Sequence, residues 1–118
     1  MSVSNFFNVA NPDNDEELFE SLLQGRNIRV ERIVSCGQVT PPNQWYDAQQ
    51  DEWVMVLQGT ARLTLLDTEI TTIEMEAGSY LLIPAHQKHR VEFTSQDPPC
   101  IWLAIHGQLT TQFPRGTN

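Results

Sequence analysis

The stretches EWVMVLQG, from Glu52 to Gly59, and GSYLLIPAHQKH, from Gly78 to His89, decide how this chain is read. Each joins a short apolar run to a glycine or proline that stops it, the pattern of a strand bounded by turns. Side chains alternate along a strand, so Glu52, Val54 and Val56 share one face. His89 opens a further run, HRVEFT, in which Val91 and Phe93 have its parity. An acid and an imidazole thus each sit on an apolar face. A carboxylate on a core face must be paired, protonated or metal-bound. Asp47, five residues before Glu52, is near enough in sequence to reach the same strand end.

Working outward, NIRVERIV (27–34), ARLTLL (61–66), EITTIEM (69–75) and CIWLAI (100–105) alternate or are rich in β-branched residues. Turn formers such as Asp67-Thr68 and SQDPP (95–99) separate them. Short strands at this spacing predict an antiparallel sandwich or barrel. No helical pattern falls between strands, which argues against a parallel βαβ sheet. One helix is expected, at about 15–24. Asn14 or Asp13 would cap it, the acids at 15–17 suit its positive end, and Leu18–Leu22 and Phe19–Leu23 are i,i+4 pairs. Gly25 stands where a left-handed cap belongs. Residues 1–14 read as an arm with Pro12 as breaker and Phe6 and Phe7 as anchors. The expected organisation is therefore an arm (1–14), a short helix (15–24) and one barrel (26–113).

Composition narrows the function. The 118 residues carry seven Lys and Arg against fifteen Asp and Glu, a net charge of −8. Nucleic acid and anionic membrane are poor partners for such a chain, because both need basic residues to neutralise phosphate. The first 25 residues hold no Lys or Arg and five acids, unlike a secretory signal or a transit peptide. A cytoplasmic location is expected. The two cysteines, Cys36 and Cys100, form no CxxC and are expected as buried thiols.

The chain resembles the small single-domain cupins. Their second motif runs Gly, five residues, Pro-x-Gly, two residues, His. Gly78, SYLLI, Pro84, Ala85, His86, Gln87-Lys88 and His89 follow it, with His86 in place of the second glycine. Their first motif closes with Glu, six residues and Gly, the spacing of Glu52 and Gly59. The two motifs cover about 37–93. The resemblance implies an all-β, cupin-type jelly-roll barrel (a double-stranded β-helix), here with the short N-terminal helix added. Metal-binding cupins place a His-x-His before the glutamate and join both histidines to the Glu and the later His around one ion. No histidine precedes His86 in this chain. Counted back from Glu52, the two positions hold Trp45 and Asp47; counted forward from Gly37, they hold Asn43 and Trp45. Only Glu52 and His89 carry over, with Asp47 as a candidate replacement.

Glu52, His89 and Asp47 would make an open oxygen/nitrogen site suited to Mn, Fe, Ni or Zn, and to a small polar substrate. His86, with His89 and Glu52, would instead give two histidines and one carboxylate if 84–88 is a loop. A competing expectation is a Glu52–His89 hydrogen bond in a metal-free sensor or carrier, whose pocket takes an apolar or aromatic ligand among Trp45, Trp53 and Phe93. Arg32, on the parity of Val30 and Val34, is the candidate for holding a ligand carboxylate. The direction of His106 is not readable. A third expectation is an assembly role: the resemblance implies a homodimer joined through sheet edges and an exchanged N-terminal segment, here the Phe6–Phe7 arm and the short helix.

Overall fold

In a computed structural model of the chain, residues 1–10 and 15–109 are described. Among the described residues eight strands form: β1 (Leu18–Gly25), β2 (Ile28–Ser35), β3 (Asp51–Gln58), β4 (Thr60–Leu66), β5 (Ile70–Glu76), β6 (Tyr80–Ile83), β7 (Lys88–Thr94) and β8 (Cys100–Gly107). All pairings are antiparallel. A five-stranded sheet, β1-β2-β8-β3-β6, faces a three-stranded sheet, β5-β4-β7. Their inner faces meet in a core that includes Val54, Val56, Leu63, Met75, Ile83 and Trp102.

The expected helix at 15–24 is a strand. Leu18 pairs with Val34 and Gly25 with Ile28, so β1 extends the large sheet at its edge. Phe19, Leu22 and Leu23 stay exposed, so the apolar stripe that read as a helix face buries little. Pairing with β2 supplies the backbone hydrogen bonds that a short isolated helix could not hold in water. Gly25 ends this strand, and Arg26-Asn27, with Asn27 at φ 62°, make the hairpin loop. The capping residues Asp13 and Asn14 lie outside the described residues, as do Pro12 and the last residues of the expected barrel, 110–113.

Turns hold the site in place from both sides. The guanidinium of Arg90 donates to the carbonyls of Thr40, Pro41 and Gln44, clamping the segment that leads to Tyr46. Tyr46 and His89 exchange backbone hydrogen bonds (2.8 and 3.1 Å), tying that segment to β7. The Asp51 carboxylate accepts the N–H groups of Ala85 and Leu109, both at 2.8 Å. Those two donors hold its carboxyl below the usual carboxylate range.

Candidate functional site: a cavity between the two sheets

A cavity of about 480 Å³ opens between the sheets. Cross-strand register explains its chemistry. On the inner face of the large sheet, Arg29, His106 and Glu52 are direct neighbours across β2, β8 and β3. The next inward row is Glu31, Ala104 and Val54, and the row beyond it Ile33, Trp102 and Val56. Polar groups therefore gather at one end and apolar groups fill the rest. β7 contributes His89 and Val91 from the opposite sheet.

The polar end is a chain of acids and imidazoles. His106 Nε2 lies 3.0 Å from Glu31 Oε1 and 4.0 Å from Glu52 Oε2. Glu52 Oε1 lies 3.7 Å from His89 Nε2. His89 Nδ1 is 2.9 Å from the Gln87 carbonyl, which can only accept, so Nδ1 carries the proton. In the neutral ring, Nε2 then faces Glu52 as a free base. Burial pushes the Glu52 carboxyl above the usual carboxylate range, although His106 and His89 pull it down. Tyr46 stacks on His89, with ring centroids 5.4 Å apart, and stands half exposed at the mouth. Burial, then the charges of Glu17 and Glu52, push its phenol up. Among the described residues, Arg29 Nε is the buried side-chain atom with no hydrogen-bond partner.

The sequence-predicted residues divide cleanly. Glu52 and His89 meet in the cavity. Asp47 and His86 do not join them: they pair with each other at 3.2 Å, exposed, and neither lines the cavity. The two residues two apart that do line it ahead of Glu52 are Tyr46 and Ala48, not Trp45 and Asp47. A spacer of three residues before Glu52, rather than four, sets that parity. Trp45 lies under the Arg90 guanidinium, 5.9 Å from its ring centre. Trp53 points to the outer face and packs on Tyr80. Arg32 also points away from the cavity, where it makes a two-pronged contact with Glu20 and reaches the Phe6 carbonyl. Phe93 is turned outward by a register shift: Leu63 pairs with Val91 but Arg62 with Phe93, so Glu92 is an extra residue. His106, whose direction the sequence left open, lines the cavity, and so do Arg29, Glu31 and Glu17, which the sequence did not single out. The parity of Trp102, Ala104 and His106 was the available signal for the first of them.

The expected metal shell does not assemble from these residues. Ala48 has no donor, Tyr46 offers only a phenol held in its protonated form, and His106 is engaged by Glu31. Among the described residues no group of three or more His, Cys, Asp or Glu side chains is arranged to hold an ion.

Residues 32–106 match the model of the Cupin domain. This chain belongs to the cupin family. A crystal structure from Ralstonia eutropha, provisionally assigned as a mannose-6-phosphate isomerase, is 39% identical. The match covers 92% of this cupin and 100% of that chain, with a TM-score of 0.84. A cupin superfamily protein from Desulfitobacterium hafniense is 19% identical over 85% of this chain and 84% of its own, with a TM-score of 0.69. An oxalate oxidase is 17% identical, with coverage of 70% and 42% and a TM-score of 0.59. The last two share the fold alone. A comparison with curated proteins finds no match. Among the described residues no helix is long and apolar enough to cross a membrane.

Proposed function

We propose that this cupin takes up one small molecule in the cavity and offers it proton transfer through Glu52 and His89, without a metal. The observation that carries the reading is the state of that pair. Burial pushes Glu52 toward its protonated form, and the Gln87 carbonyl orients His89 so that Nε2 faces Glu52, 3.7 Å away. A buried carboxyl facing an imidazole nitrogen is an arrangement suited to giving a proton to a bound molecule and taking one back. The cavity size is within the range of small-molecule sites, and its walls of Ile33, Leu63, Val91 and Trp102 suit an apolar ligand body. Arg29 Nε, buried without a partner, is a donor for an oxygen of the ligand. Binding alone, as in a sensor or carrier, uses the same groups.

Elemental analysis of the purified protein tests this, together with melting temperatures in Mn, Fe, Ni and Zn salts. The expected result is no stoichiometric ion and no shift. A retained ion with a raised melting temperature would overturn the metal-free reading, since only binding to the native state stabilises it. The ion would then belong to Glu52 and His89, with His106 released from Glu31.

The proposal includes a cytoplasmic setting, supported by Cys36 and Cys100, which are buried and unbridged. It also includes a homodimer. Trp53, Leu82 and Ile105, with Met55, Tyr80 and Leu103, are cross-strand neighbours on the outer face of the large sheet. Tyr80 is 66% exposed and Leu82 36%, in a patch without charge.

A further inference from the structure

We propose that the ligand carries a cationic amine and that Glu17 receives it. This rests on the small-ligand reading above and adds the ligand's chemical class. Glu17 lines the cavity from the residue just before β1. The acid–imidazole row compensates within itself: Glu31 holds His106, Glu52 lies between two imidazoles, and Arg29 is next in the row. Glu17 has no such company. Its hydrogen-bond partner is the Ser35 hydroxyl, which donates to it and accepts the indole N–H of Trp102 at 3.2 Å. Among the described residues no Lys, Arg or His pairs with Glu17. A hydroxyl spreads a carboxylate's charge but does not cancel it. Burial pushes the Glu17 carboxyl above the usual range, the Ser35 hydroxyl offsetting this only in part, so a cation brought beside it restores the ionised form and is held in a medium less screening than open water. The Tyr46 ring, which feels both Glu17 and Glu52, adds an aromatic face that favours an ammonium. Phe19 and Trp102 provide apolar wall for the remainder of the molecule.

The same accounting disfavours an anionic ligand. A sugar phosphate or a dicarboxylate would bring its charge beside Glu17 and Glu31, with Arg29 as the one Lys or Arg of the lining. Those are the ligand classes suggested by the names of two similar structures, an isomerase of mannose-6-phosphate and an oxalate oxidase.

Calorimetry and thermal shift on the full chain decide the matter with probes of one shape and different charge: phenethylamine, phenethyl alcohol and phenylpropionate, beside mannose-6-phosphate and inorganic phosphate. Phenethylamine is expected to raise the melting temperature and to bind at least about tenfold more tightly than phenylpropionate. Neither phosphate compound should bind. Glu17→Gln should abolish the preference for the amine while leaving the alcohol's affinity unchanged. The preference in the unaltered protein is a test that does not depend on how well the variant folds. Tighter binding of phenylpropionate or of either phosphate would overturn the inference, as would an amine preference that survives in Glu17→Gln. Equal binding of amine and alcohol would overturn it while leaving the small-ligand reading intact. A cavity that takes none of the probes and retains a metal would remove both.

Discussion

Glu52 holds the site together through what it faces. It is flanked by His106 on β8 and Ile83 on β6, and His89 reaches it from the other sheet. Its carboxyl stays protonated to higher pH in the folded chain than at the ordinary value of 4.5. The folded state therefore holds a proton there that the unfolded chain has already lost. The stability that Glu52 contributes is present below pH 4.5 and is lost as pH rises through the raised folded value. Glu52→Gln keeps the shape and removes the titration. Denaturant unfolding across this range should show the variant gaining on the parent as pH rises. A variant that loses ground toward neutral pH would mean that the ionised carboxylate is the stabilising form, through its two histidines.

The β-strands place the chemistry through turns that only certain residues can make. Gly59, at φ 81°, separates β3 from β4, and a Cβ there would lie 2.4 Å from Ser95 Oγ and 2.9 Å from the Pro99 carbonyl. Gly78, at φ 95°, opens the turn before β6, and a Cβ there would meet nothing within 4 Å. Both positions resist alanine because of the left-handed backbone, at a cost of about 1–3 kcal/mol. Gly59→Ala adds a collision with backbone. Thermal unfolding should rank Gly59→Ala clearly below Gly78→Ala, and equal melting temperatures would show that the close approach relaxes freely. The β1 strand shows the limit of local pattern. Its i,i+4 pairs satisfy a helix template, yet the ladder with β2 ties this segment to the sheet, whereas an exposed ten-residue helix is marginal in water. The Glu92 bulge works likewise: alternation placed Phe93 beside His89, and one extra residue sent it to the outer face under Arg62.

At the scale of the whole molecule the two faces of the large sheet have different roles. The inner face carries the cavity; the outer one presents Trp53, Tyr80 and Leu82 to solvent, with Trp53 and Tyr80 rings 5.5 Å apart. The N-terminal segment covers part of that outer side, where Phe6 lies against the Arg32 guanidinium at 5.6 Å. A second copy meeting the uncovered part would bury an uncharged patch on a chain of net charge −8, whose other surfaces repel. Light scattering should report a dimer, and Tyr80→Glu, which puts an acid in the patch, should shift it to monomer. A monomeric parent at high concentration would sink the homodimer.

The chain by itself determined the all-β class, the cupin motifs and the meeting of Glu52 with His89. Each rests on short-range alternation or on turn residues at fixed spacing, and both are properties of consecutive residues. Tertiary structure decided the rest. Tyr46 and Ala48 replaced Trp45 and Asp47 because the approach to β3 is an irregular segment whose parity is set by its pairing with His89. Arg29, Glu31 and His106 entered the site because antiparallel register laid β2 and β8 beside β3. Which strands become neighbours depends on contacts between residues far apart in the chain, and no window of sequence contains them.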